Sequence, residues 1–248
     1  MSKRALTIFY QEVDRECLCW PPGPKLATRR DNNLDYLQWL RVRNWQAEYL
    51  AQASRICAQA ARGGNLRVLK WARANGYRWD LWTCCNAARG GGFLEVLKWA
   101  RSRGCNWDPL TCAYAAQGGH LEVLKWARTN GCDWNVLTCH RAAEGGHLGV
   151  LKWATANGCE WDDRLSCFFA AGGGHLEVLK WARRENRCEW DVEICSMAAK
   201  GGHLNVLKWA RANGCPWNSN TCYYARNSGH MEVFEWARAN GCGENEPR

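Results

Sequence analysis

One undecapeptide, Gly-Gly-His-Leu-Glu-Val-Leu-Lys-Trp-Ala-Arg, recurs with small changes along the chain. Its tryptophan falls at Trp71, Trp99, Trp126, Trp153, Trp181, Trp209 and Trp236, in steps of 28, 27, 27, 28, 28 and 27 residues. A fixed period of this length constrains the fold more than any other feature. Each copy is one supersecondary unit that can bury its apolar face only against its neighbours, so the chain is expected to stack into a solenoid. A second tryptophan follows at Trp79, Trp107, Trp134, Trp161, Trp190 and Trp217. Five or six residues later comes a cysteine, at Cys84, Cys112, Cys139, Cys167, Cys195 and Cys222, and then a small pair such as Ala115-Ala116 or Ala142-Ala143.

A worn copy precedes these. Leu34-Asp-Tyr-Leu-Gln-Trp39 matches the Leu-Glu-Val-Leu-Lys-Trp core, and Cys57 with Ala60-Ala61 matches the cysteine and alanine pair. The last copy stops after one helix at Asn240-Gly241. Residues 1–31, with Pro21-Pro22-Gly23-Pro24, fit no copy and read as an N-terminal cap or tail. Residues 32–248 read as the solenoid, about seven helix pairs with a single-helix cap at the C-terminal end, since terminal repeats are usually atypical.

Each copy reads as two helices, which makes the expected fold class all-α, a stack of helix-turn-helix units. In residues 107–131, Asp108 is a good N-cap and Pro109 suits the first helical position. Trp107 and Cys112 have the spacing of a hydrophobic staple. The cap role falls in other copies to Asp80, Asn135, Asp162, Asp191 and Asn218. Gly118-Gly119 ends the first helix. The second runs from about His120 to Asn130, stops at the left-handed Gly131, and carries Leu121, Val123, Leu124, Trp126 and Ala127 as one apolar stripe.

The stretch His120-Leu-Glu-Val-Leu-Lys-Trp-Ala-Arg-Thr-Asn-Gly131-Cys-Asp-Trp-Asn135 resembles the second helix and exit of an ankyrin repeat. Thr111 with Ala115-Ala116 resembles that family's first helix. The likeness covers roughly residues 32–242. The family's period is ~33 residues with a β-turn between repeats. Here the missing piece falls after Asn135, where the family has its protruding hairpin. The chain is similar to the hairpin-poor variant common in large DNA viruses and some algae and oomycetes. The resemblance implies a non-catalytic scaffold for a protein partner that binds on the concave surface, working inside a host cell if the source is viral. Hairpin-tip binding residues of the family have no positions here.

At about 100° per residue, the alanines three and four after the first-helix cysteine share its side, the core. Residues two before, two after and five after it point away, on the side that lines the concave surface in ankyrin-like stacks. Those positions vary between copies. Two after the cysteine come Asn86, Tyr114, Arg141, Phe169, Met197 and Tyr224; two before come Trp82, Leu110, Leu137, Leu165, Glu193 and Asn220. A constant framework with a variable, aromatic, exposed strip points to an interaction site. Trp82, Tyr114, Arg141, Phe169, Met197 and Tyr224 are the candidate partner-binding residues. The alternative is that these side chains pack against neighbouring repeats.

The net charge of +9 leans towards acidic partners. Lys70, Lys98, Lys125, Lys152, Lys180 and Lys208 form a ladder on the second helices, with Arg73, Arg101, Arg128, Arg183, Arg211 and Arg238 three residues on from the lysine position, which Glu235 fills in the last copy. Stacked, these stripes would suit a nucleic acid or other polyanion. Glu95, Glu122 and Glu177, three before their lysines, favour a solvated outer face instead.

Sixteen cysteines among alanines at helical spacing read as buried, reduced thiols of a cytoplasmic or nuclear protein. Cys105 and Cys112 are seven apart, wider than zinc pairs favour, so no metal is expected. Cys17-Leu-Cys19 is left unexplained. Five of six histidines (His120, His147, His175, His203, His230) recur at one slot and read as structural loop contacts, while His140 lies near the variable strip. No nucleophile, phosphate-loop or metalloprotease motif appears, no cofactor is implied, and neither a secretory signal nor a membrane-spanning run is read.

Overall fold

The computed structural model describes residues 50–185 and 187–243. The proposed cap or tail at 1–31, the worn copy at 34–39 and the Cys17-Leu-Cys19 pair lie outside them. Among the described residues there are fourteen α-helices and no strand. They form seven pairs: α1 Leu50–Arg62 and α2 Leu66–Ala74; α3 Leu81–Gly90 and α4 Leu94–Ser102; α5 Pro109–Gln117 and α6 Leu121–Thr129; α7 Val136–Glu144 and α8 Leu148–Ala156; α9 Leu165–Gly172 and α10 Leu176–Arg184; α11 Val192–Lys200 and α12 Leu204–Ala212; α13 Ser219–Asn227 and α14 Met231–Ala239. The fold is an all-α solenoid.

Most caps fall where the residue types demand; α9 instead begins after Arg164, two residues beyond the expected cap Asp162, and no side-chain cap bond forms at Asp80. Asp108 accepts a hydrogen bond from Leu110 N, Asn135 from Leu137 N and Asn218 from Asn220 N, each at 3.0 Å, satisfying a donor the first turn would leave orphaned. At the far end of α6 the Asn130 side chain donates to the Trp126 carbonyl. Gly131 turns left-handed at φ 81°, and Cys132 N closes on Ala127 O at 2.9 Å. This is the glycine-terminated stop that lets the chain leave a helix without orphaned carbonyls.

Every second helix packs against its own first helix, and every first helix also packs against the first helices on either side. No two second helices approach each other so closely. The alanine pairs make this possible. Ala87, Ala88, Ala115, Ala116, Ala142 and Ala143 are fully buried, and their small side chains let neighbouring first helices come close. The first helices therefore form the closely packed row of the stack and the second helices the looser one. The core between the rows is Leu97, Leu124, Leu151, Leu179 and Leu207 with the valines, alanines and cysteines around them.

The recurring histidine is a clamp between successive repeats. His147 donates to the carbonyl of Gln117 at 2.9 Å, His175 to Glu144 at 2.7 Å and His203 to Gly172 at 3.0 Å, each at the end of the preceding first helix. The ring lies over the second glycine of the preceding turn. A Cβ on Gly202 would stand 2.6 Å from His230 Nδ1. The double glycine is thus required by the neighbouring repeat as well as by its own turn.

Candidate functional site

The six candidate residues do form one row along the first helices. The ring of Trp82 on α3 lies 6.3 Å from Tyr114 on α5. The guanidinium of Arg89 stands 5.1 Å over the Tyr114 ring, and that of Arg141 on α7 stands 6.0 Å from it. Arg141 pairs with Glu144 at 2.8 Å, and the Gln117 amide donates to the same carboxylate oxygen. Phe169 on α9 meets His140 at 5.5 Å and Phe168 at 5.4 Å. Met197 on α11 reaches the backbone of Gly172, where a Cβ would crowd it at 3.1 Å. At the end of the row Tyr224 on α13 packs on Tyr223 and lies under Lys200 at 5.9 Å.

The expectation that all six are exposed fails at two of them. Tyr114 is only 2% exposed and Arg141 only 5%. The angular argument treats one helix alone and correctly turns these side chains away from the cysteine–alanine core. It omits the neighbouring first helices, which stand close enough for Trp82, Arg89 and Arg141 to cover Tyr114 from both sides. Trp82, Phe169, Met197 and Tyr224 are half-buried, so the open part of the strip lies at its two ends. Tyr223, 58% exposed, belongs to this surface and was not singled out by sequence. Its slot is filled by buried Cys85, Ala113, His140 and Ser196 in other repeats, so an aromatic there was the available signal.

His140 sits beneath the strip at 2% exposure. Among the described residues neither ring nitrogen has a hydrogen-bond partner. Burial pushes its pKa down to about 4, with Arg141 acting in the same direction and Asp162 opposing. It is neutral at physiological pH.

Along the second helices most of the tryptophans are half-buried and pack against the core, while Trp181, 7% exposed, is buried within it. Trp126 is half-buried and meets Trp107 edge-on at 5.6 Å, where a staple between Trp107 and Cys112 was expected. Arg101 lies over the other side of the pair, 4.1 Å from the Trp107 ring, and bonds the Cys105 carbonyl. The same column recurs as Arg73–Trp79–Trp99, Arg128–Trp134–Trp153, Arg183–Trp190–Trp209 and Arg211–Trp217–Trp236. Lys98, Lys125 and Lys180 pair with Glu95, Glu122 and Glu177 at 2.8–3.0 Å. One column departs from the pattern. Thr155 holds the arginine slot, and beside it opens a hollow of about 490 Å³ lined by Lys152, Thr155, Ala156, Trp181, Arg184, Glu185 and Arg187.

The cysteines are buried as expected, but they are not all reduced. Cys167 and Cys188 form a disulfide. Among the described residues no three side chains of His, Cys, Asp or Glu gather as a metal site would require, and no helix is long and apolar enough to cross a membrane.

Residues 139–183 match the family model for ankyrin repeats (many copies). That segment runs from α7 to α10, and the other pairs repeat its pattern in register. This segment is similar to ankyrin repeats. Solved structures that match include the human ASB11 ankyrin repeat domain, at 17% identity and a TM-score of 0.49, covering 64% of this chain and 84% of that one. No curated protein matches the chain. Ankyrin repeats are in general protein–protein interaction modules and are generally non-catalytic.

Proposed function

We propose that this ankyrin-like stack is a non-catalytic scaffold that binds a protein partner on the inner surface of its first helices. The observation that carries the reading is the strip itself, a row of large variable side chains on an otherwise repeated framework. Trp82, Phe169, Met197 and Tyr224 supply the contact area, joined by Tyr223, and Arg89 and Lys200 flank them with positive charge. Tyr114 and Arg141 hold the strip's shape from below. Aromatic and arginine side chains dominate interface energetics, and truncating one such anchor costs about 2 kcal/mol or more of affinity. Affinity capture from the native source, repeated with Phe169→Ala plus Tyr224→Ala, tests this. The expected result is at least ~30-fold weaker capture, the size such a loss implies, with the melting temperature nearly unchanged. Equal capture by both forms would remove the strip as the site.

A second reading, a nucleic-acid or other polyanion binder, draws on the hollow where Lys152, Arg184 and Arg187 converge. The rest of the basic ladder speaks against it, because those arginines lie on tryptophan faces and three of the lysines pair with glutamates. A salt titration separates the two, since polyanion binding weakens by orders of magnitude as salt rises.

A further inference from the structure

Each of the last six described repeats holds two cysteines in fixed slots, one on the first helix and one in the loop after the second. The pairs are Cys84/Cys105, Cys112/Cys132, Cys139/Cys159, Cys167/Cys188, Cys195/Cys215 and Cys222/Cys242, separated by 20 or 21 residues. All twelve are buried. In one repeat the two are already joined, Cys167 to Cys188, with Cα atoms 6.0 Å apart. That spacing lies inside the ~4.4–6.8 Å a disulfide spans.

The other five pairs are held in the same frame. The loop thiol donates to the carbonyl of its repeat's N-cap residue: Cys105 to Asp80 at 3.5 Å, Cys132 to Asp108 at 3.3 Å, Cys159 to Asn135 at 3.5 Å, Cys215 to Asp191 at 3.5 Å and Cys242 to Asn218 at 3.4 Å. The first-helix thiol points at the loop, as with Cys112 towards the Cys132 carbonyl and Cys222 towards that of Cys242. The first described repeat is a natural control, with Tyr77 in the loop slot opposite Cys57.

We propose that every one of these six pairs is a disulfide site, closed within its own repeat by a peroxide, so that oxidation staples each first helix to its exit loop along the stack. The thiolate of one cysteine attacks a peroxide oxygen. The O–O bond breaks, one oxygen leaves and is protonated to water, and the other remains on sulfur as a sulfenic acid. The partner sulfur attacks that sulfur, the S–S bond forms and hydroxide leaves, taking up the partner's proton as a second water. Two thiols and one hydrogen peroxide become one disulfide and two waters. The neighbouring thiol holds Cys105, Cys159 and Cys195 below the usual thiol range, with burial opposing.

Burial sets the order of reaction. A peroxide reaches these sulfurs only when a repeat opens, soonest where the sulfurs are most exposed. Cys222 at 8% and Cys242 at 5% form the most accessible pair, in the last described repeat. It closes first.

The test uses the full chain, reduced, freed of reductant, then exposed to hydrogen peroxide for increasing times. Free thiols are alkylated under denaturing conditions, and peptides are mapped by mass without reduction. The expected result is six links, each within one repeat, with Cys222–Cys242 earliest, Cys57 and Cys85 alkylated throughout, and a higher melting temperature once closed. Links between different repeats, sulfinic acids in place of disulfides, or thiols that survive while the chain transiently unfolds would each overturn the proposal. A gain-of-link variant adds an independent arm. Tyr77→Cys should create a seventh disulfide with Cys57, and a Cys57 that stays alkylatable in that variant would refute the slot argument.

Discussion

The inner row around Tyr114 varies from copy to copy and the outer column around Trp126 repeats its tryptophan in every copy, and their large aromatic side chains sit differently. Tyr114 is almost completely buried between neighbouring first helices. Trp126, on the apolar stripe of its own helix, stays half-open beside Trp107. First helices are spaced by alanine and stand close around Tyr114, whereas second helices are farther apart around Trp126, so the first ring is covered and the second stays half-open. Distance between rows, set by small residues elsewhere in the repeat, decides burial more than the character of the residue itself.

The sharpest way to break this comparison is a pair of truncations. Tyr114→Ala should cost about 3–4 kcal/mol of stability, in the range for emptying a buried aromatic site. Trp126→Ala should cost about 2 kcal/mol, because much of its surface already meets water. Denaturant titration of the two variants checks the order. If Trp126→Ala proves the more damaging, the outer column is the true core and the spacing argument is wrong.

Acid should act on the inner row. The folded-state pKa of His140 lies near 4, below its ordinary value of about 6.5, so the unfolded chain binds the proton more readily. Its contribution is fully present above about pH 6.5 and is lost as pH falls towards the folded value, amounting to about 3 kcal/mol. His203, also lowered by burial, adds in the same direction. His140→Phe, which keeps a ring in the slot, should flatten most of this acid sensitivity in melts measured from about pH 7 down to pH 4. An unchanged profile would mean that the inner row does not bury the imidazole.

A smaller effect compares two left-handed glycines with nearly equal φ. Gly202 (77°) lies under His230 of the next repeat, while Gly131 (81°) has open space where a Cβ would go. Gly131→Ala should cost about 1 kcal/mol, the backbone penalty alone. Gly202→Ala should cost about 2 kcal/mol, since the clamp ring must also move. Equal costs in chemical denaturation would indicate that the histidine clamp yields freely.

The helix pairs, their caps at Asp108, Asn135 and Asn218, and the stops at Gly131 and its equivalents were legible because they depend on neighbours within a few residues. The thiol pairs were not. Spacing along the chain set Cys105 beside Cys112, seven apart, while the structure turns the Cys112 thiol towards the Cys132 carbonyl. Two cysteine columns that both face the core of one repeat were the available signal. The Trp107–Trp126 contact was missed likewise, since a local staple with Cys112 was the nearer explanation.

For the candidate strip, sequence placed Trp82, Tyr114, Arg141, Phe169, Met197 and Tyr224 in one row, because helical angle follows from covalent geometry and a constant period brings equivalent positions into line. Which of them remain open was decided by the tertiary structure. Exposure depends on how near the adjacent helix stands and on the side chains it sends across, and so Tyr114 and Arg141 were closed over by Trp82, Arg89 and each other while Tyr223 and Tyr224 at the end of the described stack were left in reach of solvent.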